Sequence, residues 1–462
     1  MTWGTHWCGG IVSPANPGYS ADELAFQLKD SGAKVLVTQL PVLEIARKAA
    51  QKVGIPDDHI ILIGDKKDPE GKFKHFTSVR NISGTQRYRK AKIDPANDLA
   101  FLVYSSGTTG LPKGVMLCHR NIIANTLQVT AGEVPYLTSK DSILAFLPFF
   151  HIYGLTVILH QSMYNGYLVS VMPRFDMKDF CEFVQRDKIT FAYVAPPVVL
   201  QLAKNPIVDK YDLSSIRMMN SGAAPLTRDL VDALWTRKKL KVKQGYGLSE
   251  TSPTTHTQPW DLWYSTIGSV GTLLPNQTAK YMSAEETEVS VGEVGELWIK
   301  GPNIFKGYLN NPEGTKNALT DDGYFKTGDV GYQDKDGNFY ITDRVKELIK
   351  YKGFQVPPAE LEGYLAGYEK IDDCAVIGIY RDDIATEVPR AYVVPKKGVE
   401  AGKSLEDEIV KFISDKVANH KKLRGGVRFV DEIPKSVSGK ILRRVLKQKA
   451  QEEDSKGPKA KL

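Results

Sequence analysis

The sequence predicts an α/β protein with a large N-terminal domain of layered α/β sheets, a β-rich subdomain and a small α+β C-terminal domain. Three observations lead to this prediction. Short apolar strands alternate with amphipathic helices between about residues 90 and 270. After Gly268, strand patterns lie between Gly, Asn and Asp turns. A charged connector then precedes a final segment in which strand and helix patterns are mixed.

In the N-terminal domain, strand and helix patterns follow one another closely. Strands are predicted where apolar residues form short runs, at residues 99–104, 143–147, 167–171, 191–194, 216–219 and 240–242. A helix is predicted over 176–188, where Phe180, Phe183 and Val184 recur at helical spacing, and another after a cap near Thr227. This alternation is typical of sheets with substantial parallel pairing.

The remaining elements define the predicted domain limits. The β-rich subdomain, at about 268–343, is predicted from strands at 296–299 and 339–341. Beyond the connector at 343–347, strands are predicted at 375–379 and 391–394, with helices at 359–365, 405–417 and 439–449. We therefore predict an N-terminal domain at 1–343, a C-terminal domain at 344–450 and a polar tail at 451–462.

The composition is that of a globular protein, with 42% hydrophobic and 25% charged residues among 462. No apolar run approaches the roughly 20 residues of a transmembrane helix, and no secretory signal is visible. Four scattered cysteines argue against a zinc site or a disulfide framework and fit a reducing compartment. The formal charge of +7 fits either a solvated basic face or a surface for a polyphosphate. No motif supports nucleic-acid binding.

A loop rich in glycine and hydroxyl side chains carries the strongest local signal for chemistry. It follows the predicted strand at 99–104 and contains Ser105, Ser106, Gly107, Thr108, Thr109, Gly110, Lys113 and Gly114. The glycines let backbone N–H groups approach an anion, and the hydroxyls and the lysine add donors for phosphate oxygens. The spacing is not that of a Walker A motif. The loop therefore predicts phosphate binding outside the P-loop class.

This loop resembles the signature loop of the adenylate-forming superfamily, which includes acyl-CoA synthetases, firefly luciferases and peptide-synthetase adenylation domains. Further segments resemble that family's motifs in the same order, at residues 221–226, 244–251, 324–329, 343–355 and 434–440. The likeness runs from about residue 10 to 446 and is greatest for the 4-coumarate–CoA ligase branch, particularly its fungal relatives.

The resemblance implies a role for each matching residue. ATP and AMP would be bound by Ser105, Ser106, Gly107, Thr108, Thr109, Gly110, Lys113, Gly222, Ala223, Ala224, Gln244, Gly245, Tyr246, Gly247, Ser249, Asp329, Arg344 and Lys440. Glu250 would hold Mg²⁺, and the catalytic residues would be Lys440, His151 and Lys346. The acyl pocket would include His151, Tyr153, Ala223, Gly247 and Pro253. Coenzyme A would contact Arg174, Lys350, Lys352 and Gly353.

His151 has two interpretations. A histidine between aromatic residues is commonly a satisfied core residue. The resemblance instead sets it beside the substrate carboxylate and the entrance for the thiol, and we favour this role. The family also implies that the small domain is mobile, turning about Lys346 so that Lys440 serves adenylation and another face serves thiolysis.

Three features depart from the family pattern or add to it. The chain starts several dozen residues later than its relatives, which predicts an uncovered apolar surface or sheet edge. Ser249 stands where relatives often have threonine, and its hydroxyl is kept. The last residues, Ala460, Lys461 and Leu462, resemble a peroxisomal address. We therefore predict a peroxisomal location through the import receptor, with the cytoplasm as the alternative.

The function implied is an ATP-dependent acid–CoA ligase that forms an acyl-AMP and then an acyl-CoA. The acid would be an aryl acid, cinnamate-like or phenylacetate-like, or a medium-chain acid, with ATP, Mg²⁺ and coenzyme A as the other partners. Two alternatives stay open. One is an adenylate-forming enzyme with another acceptor, and the other is a truncated, non-catalytic nucleotide-binding relative.

Overall fold

A computed structural model of the chain describes residues 1–79, 90–105, 112–134, 136–223, 226–344, 347–352, 354–384, 386–435 and 441–456. None of the helices in these ranges combines the length and the apolar character that a bilayer span needs.

The first part of the chain forms a small parallel sheet flanked by helices. The helices are α1 (Thr2–Trp7), α2 (Ala21–Asp30), α3 (Leu43–Lys52) and α4 (Phe76–Val79). The strands are β1 (Leu36–Thr38), β2 (Ile60–Leu62) and β3 (Lys74–His75). A capping box starts α2, because the Ser20 hydroxyl accepts from the Glu23 N–H while the Glu23 carboxylate accepts from the Ser20 N–H.

An antiparallel pair, β4 (Leu99–Ser105) and β5 (Lys113–Cys118), flanks the predicted phosphate loop. β4 confirms the buried strand predicted at 99–104. The other edge of β5 bonds to a distant segment, with the Met116 N–H donating to the Gly307 carbonyl at 3.0 Å and the Leu309 N–H to the Gly114 carbonyl at 2.8 Å. β5 therefore links the loop to the β-rich part of the chain.

The parallel sheet predicted from the alternating pattern is confirmed. Within the described ranges it has seven strands: β6 (Ser142–Ala145), β7 (Leu168–Val171), β8 (Phe191–Val194), β9 (Met218–Ser221), β10 (Val242–Gly247), β11 (Thr254–Thr257) and β12 (Thr272–Leu273). Their order is β12-β11-β10-β9-β8-β6-β7. Pairing is parallel from β7 to β10 and antiparallel for β11 and β12.

Helices cover this sheet. They are α5 (His119–Glu133), α6 (Gln161–Asn165), α7 (Met177–Asp187), α8 (Pro196–Lys204) and α9 (Arg228–Lys238). The predicted helix at 176–188 is α7. Its N-cap Asp176 accepts two backbone N–H bonds, and its C-cap Lys188 adopts the left-handed conformation. Phe180 and Val184 are buried in the core between α7 and the sheet.

The β-rich region is an antiparallel sheet with one helix beside it. Its strands are β13 (Thr278–Met282), β14 (Gly295–Lys300), β15 (Phe325–Gln333) and β16 (Phe339–Arg344), and the helix is α10 (Pro312–Ala318). The connector predicted at 343–347 was set too early, because Asp343 and Arg344 are still paired with Val330 and Asp329 in the sheet.

The smaller C-terminal part has a two-stranded and a three-stranded sheet in its described ranges. Its elements are β17 (Ile349–Tyr351), β18 (Phe354–Val356), α11 (Pro358–Ala366), β19 (Ile371–Arg381), β20 (Thr386–Pro395), α12 (Lys403–Ser414), β21 (Val427–Phe429) and α13 (Arg443–Lys456). The helix predicted at 439–449 begins later, because Ile441 forms a β-bridge with Lys435. It continues to Lys456, into the predicted polar tail.

A buried ion pair joins α5 to the centre of the large sheet. Lys243 on β10 and Glu133 at the end of α5 are both almost fully buried, with Nζ 2.7 Å from Oε1. Thr257 accepts a second bond from the ammonium at 3.1 Å, and the Trp260 indole donates to the other Glu133 oxygen at 2.6 Å. The pair is therefore well satisfied, which is the condition for a buried ion pair to be tolerated.

We expect Lys243→Met to lower the free energy of unfolding by about 3–5 kcal/mol, because it leaves the Glu133 carboxylate buried without its partner. Lys243→Met combined with Glu133→Gln should recover part of this loss, since the glutamine is neutral and keeps an acceptor for Trp260. Urea denaturation followed by circular dichroism measures both. A double variant no more stable than Lys243→Met would contradict the explanation.

Candidate active site

A cavity of about 880 Å³ lies where the large sheet, the β4–β5 pair and the β-rich sheet meet. Strands β9 and β10 are parallel neighbours that end at Ser221 and Gly247, so the residues after β9 and the last residues of β10 lie at the same edge. In open α/β sheets this edge is where ligands bind. Among the predicted site residues, the cavity lining includes Ser105, Lys113, His151, Tyr153, Gly222, Ala223, Gly245, Tyr246, Gly247, Ser249, Glu250, Pro253 and Arg344.

Two glycines are required by close approaches at this edge. A Cβ on Gly247 would lie 1.9 Å from the Pro253 carbonyl oxygen, a distance that only movement of the backbone could relieve. A Cβ on Gly222 would lie 3.2 Å from the ring and hydroxyl of Tyr153. The motif glycines therefore let the two strand ends pack directly against neighbouring backbone and aromatic groups.

His151 and Tyr153 form one uncharged end of the cavity. The Tyr153 N–H donates to His151 Nδ1 at 3.2 Å, and the Tyr153 hydroxyl donates to the Asn220 carbonyl at 3.1 Å. Burial lowers the pKa of His151 to about 4 and raises the pKa of Tyr153 above its ordinary value. Both side chains are therefore neutral near pH 7, and His151 belongs to the cavity rather than to a closed core.

Asp329 stands behind the cavity wall and does not itself line the cavity. It is 2% exposed, with Oδ2 accepting from the Tyr246 hydroxyl at 2.5 Å and Oδ1 lying 2.9 Å from Arg344 Nε. Burial and the neighbouring carboxylate raise the pKa of Tyr246, whereas the carboxylate raises the pKa of Arg344. In this structure Asp329 thus holds two lining residues, which differs from the direct ligand contact expected from the sequence.

Charged side chains line the same cavity. Glu250 Oε1 accepts a hydrogen bond from the Tyr308 hydroxyl at 2.9 Å, and the Lys113 ammonium lies 4.9 Å from the centroid of the Tyr308 ring. Among the described residues, no group of three or more His, Cys, Asp or Glu side chains is arranged to hold a metal. A lone carboxylate still fits Mg²⁺, which proteins commonly bind through one or two carboxylates together with substrate phosphates.

Several predicted residues do not reach the lining. Gln244 is buried behind it, and its Oε1 accepts from the Leu226 N–H at 3.3 Å, so the expected ligand contact is replaced by support of a neighbouring loop. Arg174 is exposed after β7. Lys350 and Lys352 lie in the C-terminal part, with their N–H groups bonded to Glu387 Oε2 and Thr386 Oγ1. Of the predicted coenzyme A set, the described members Arg174, Lys350 and Lys352 therefore do not line the cavity.

Other predicted residues lie outside the described ranges. They are Ser106, Gly107, Thr108, Thr109, Gly110, Ala224, Lys346, Gly353, Lys440, Ala460, Lys461 and Leu462.

The cavity also contains residues that the sequence motifs did not reveal. Tyr308 contacts Glu250 and lies beneath Lys113, although it lies nearly sixty residues beyond the motif at 244–251 that contains Glu250. Tyr104, at the end of β4, lines the cavity and donates to Asp30 Oδ2 at 2.6 Å. No spacing in the sequence pairs these residues, since long-range packing alone brings each to its partner.

The fold and this cavity define an adenylate-forming enzyme with a large N-terminal and a smaller C-terminal domain. The model of the AMP-binding enzyme family matches residues 2–309, and the model of the AMP-binding enzyme C-terminal domain matches residues 360–440. The chain belongs to the AMP-binding enzyme family, and it is an AMP-forming acid–thiol ligase.

Individual relatives agree with this assignment. Probable 4-coumarate–CoA ligase 1 of Dictyostelium discoideum is 42% identical over 458 residues, which cover 96% of this chain and 82% of that protein. ATP-bound MatB from Rhodopseudomonas palustris superposes with a TM-score of 0.85 at 29% identity, covering 97% of this chain and 85% of the other. The anthranilate CoA ligase AuaEII, in complex with anthranoyl-AMP, superposes with a TM-score of 0.87 at 25% identity, covering 98% of this chain and 85% of the other.

We expect Gly247→Ala to destabilise the protein by about 1–3 kcal/mol, the usual cost of overpacking, and to weaken ATP binding because the end of β10 must move. Gly245→Ala on the same strand is the matched control for the loss of stability alone, since its Cβ would meet Asn220 and the His256 carbonyl at 3.3 Å, and the residue is itself assigned to ATP. Thermal denaturation and titration with ATP measure the two effects. Equal losses of stability for both substitutions would contradict the close-approach argument.

Proposed function

We propose that this enzyme activates a carboxylic acid with ATP to an acyl-adenylate and transfers the acyl group to coenzyme A. The observation that carries the proposal is the lining of one cavity, which combines the charged side chains of Lys113 and Glu250 with the uncharged side chains of His151 and Tyr153. The first suits a triphosphate and the second suits the apolar tail of an acid.

The nucleotide would occupy the region between these two groups of side chains. Ser105 and Lys113, together with the loop that continues through Ser106, Gly107, Thr108, Thr109 and Gly110, would bind the phosphates. The strand ends at 222–224 and 245–249 would hold the adenine. Asp329 can accept further hydrogen bonds beyond those from Tyr246 and Arg344, because a carboxylate offers about four lone-pair sites. Ribose hydroxyls would reach Asp329 once Tyr246 and Arg344, which separate it from the cavity, make room for them.

Mg²⁺ would be held by Glu250 and would supply charge neutralisation for the phosphates.

The acyl pocket would be formed by His151, Tyr153, Ala223, Gly247 and Pro253. Relatives named for 4-coumarate and anthranilate act on aryl acids. We therefore propose an aryl acid, cinnamate-like or phenylacetate-like, as the substrate. A medium-chain acid is the second candidate, because the small side chains of Ala223 and Gly247 also leave room for an aliphatic tail.

The reaction would proceed in two displacements. A carboxylate oxygen attacks the α-phosphorus of ATP and pyrophosphate leaves, with Lys440 neutralising the charge that builds up on the phosphate and carboxylate oxygens. The sulfur of coenzyme A then attacks the acyl carbon and AMP leaves. His151, which would lie beside the thiol, would accept the thiol proton in this second step.

A rotation of the C-terminal domain between the two steps is part of the proposal, with the hinge at Lys346 and domains at 1–343 and 344–450. Arg344 is paired with Asp329 in the β-rich sheet, whereas Glu347 is paired with Arg443 of the C-terminal part at 2.7 Å. The two ion pairs support a pivot between residues 344 and 347. The rotation would bring Lys350, Lys352 and Gly353 towards the cavity, and with Arg174 they would contact coenzyme A.

The proposal is tested by incubating the protein with ATP, Mg²⁺, coenzyme A and a panel of cinnamates, phenylacetates and medium-chain acids. We expect thioester and AMP to form in equal amounts with one class of acid. AMP release without coenzyme A dependence would favour another acceptor. Absence of pyrophosphate exchange with every acid, for folded protein, would favour the non-catalytic alternative.

Lys440→Ala serves as the control for the mechanism in the same assay. It should abolish pyrophosphate exchange while leaving thiolysis of a supplied acyl-adenylate largely intact, because the lysine is assigned to the first step alone. Equal loss of both half-reactions would contradict the domain rotation.

A peroxisomal location remains part of the proposal, through recognition of Ala460, Lys461 and Leu462 by the import receptor, with the cytoplasm as the alternative. A fluorescent fusion that keeps the native C-terminus should enter peroxisomes, and removal of the last three residues should leave it in the cytoplasm. The same distribution with and without these residues would contradict the assignment.

A further inference from the structure

Tyr308 lies between the two charged side chains at the phosphate end of the cavity. Its hydroxyl donates to Glu250 Oε1 at 2.9 Å, and its ring lies beneath the Lys113 ammonium, with 4.9 Å between Nζ and the ring centroid. A single side chain therefore contacts the group proposed to hold the divalent cation and a group proposed to bind phosphate. It does so through two different kinds of interaction, a hydrogen bond and a cation–π contact.

The backbone around Tyr308 is fixed to both neighbours. On one side it pairs with β5, where the Leu309 N–H donates to the Gly114 carbonyl at 2.8 Å, next to Lys113. On the other side the Phe305 N–H donates to the Glu250 carbonyl at 2.9 Å. A Cβ on Gly114 would lie 3.2 Å from Leu309 Cβ, which shows how closely the two segments pack. The segment 305–309 thus connects the strand of Lys113 to the backbone of Glu250.

The side chain of Tyr308 is held in place as well. Its ring packs edge-on against the Phe305 ring, with centroids 4.9 Å apart and an interplanar angle of 65°. The packed ring therefore holds the hydroxyl towards Glu250 Oε1, to which it donates.

We propose that Tyr308 is a positioning residue that orients the Glu250 carboxylate for a divalent cation and the Lys113 ammonium for the nucleotide phosphates. The inference rests on the proposed function, since it assigns roles within the same site. A hydrogen bond on Oε1 fixes the carboxylate while leaving lone pairs for a cation. The ring limits the positions of a flexible lysine side chain, so less conformational freedom is lost when phosphate binds.

The two contacts can be separated by substitution. Tyr308→Phe removes the hydroxyl but keeps the ring, so it should affect Glu250 and spare Lys113. Tyr308→Leu removes both contacts. Tyr392→Phe is the matched control, because Tyr392 on β20 is also buried and donates to a glutamate, Glu453 on α13, at 3.0 Å, and neither residue lines the cavity.

Two binding measurements on the full chain test the proposal. Isothermal titration with Mn²⁺, used as the probe for the divalent site, is performed on protein saturated with a non-hydrolysable ATP analogue. A second titration measures binding of the same analogue in EDTA, without metal. Steady-state pyrophosphate exchange at varied Mg²⁺ then gives the KM for Mg²⁺ separately from the KM for ATP. Thermal denaturation verifies that each variant is folded.

We expect Tyr308→Phe to weaken Mn²⁺ binding about tenfold, the change typical of a lost hydrogen bond to a charged group, and to raise the KM for Mg²⁺ by a similar factor. Its metal-free binding of the analogue should stay within about twofold of the unmodified protein, because the contact with Lys113 is kept. Tyr308→Leu should weaken both kinds of binding, and Tyr392→Phe neither.

Unchanged Mn²⁺ affinity in Tyr308→Phe would overturn the assignment, as would a loss of metal-free nucleotide binding as large as the loss of Mn²⁺ binding. If Tyr308→Leu fails to fold, the Mn²⁺ affinities of Tyr308→Phe and Tyr392→Phe still decide whether the Tyr308 hydroxyl orients Glu250. Unmodified protein that binds neither the analogue nor Mn²⁺ would instead contradict the proposed function, so the two failures are distinguishable.

Discussion

The Asp329 carboxylate joins two parts of the molecule, the large sheet and the β-rich sheet. It lies on β15 of the β-rich sheet, accepts from Tyr246 at the end of the large sheet, and pairs with Arg344 on the neighbouring strand β16. Because it is 2% exposed, its charge depends on these partners for compensation. This one buried group therefore sets the position of the cavity wall at Tyr246 relative to Arg344, where the connector to the C-terminal part begins.

Burial and charge divide the cavity into chemically different ends. Near His151 and Tyr153, desolvation keeps both side chains neutral, which suits contact with an uncharged acyl group. Glu250 and Lys113, in the same cavity, are linked through Tyr308. One cavity can thus accommodate a highly charged nucleotide and an apolar acid side by side.

Much of the fold could be predicted because its signals are local. The buried runs that became β4, β8 and β14, and the spacing of Phe180 and Val184 in α7, report directly on strand and helix faces. Errors arose where a long-range contact overrode the local pattern. Register with β15 keeps Arg344 in a strand, and the bridge of Ile441 with Lys435 delays the start of α13. Another contact that the local pattern does not reveal is the hydrogen bond by which the Gln244 side chain supports the loop at Leu226.

The sequence by itself determined the class of the protein and a part of the cavity lining, because the motif residues are consecutive residues at strand ends and in turns. Gly222 and Gly247 are examples, since a requirement for glycine is visible in the motif itself. Only the tertiary structure decided what each charged group contacts. The hydroxyl of Tyr308 lies beside Glu250, and Asp329 lies behind Tyr246, because sheets distant in the chain pack together. Such partners leave no periodic signal, since hydrogen bonds and ion pairs between remote segments depend on distances that spacing along one chain does not encode.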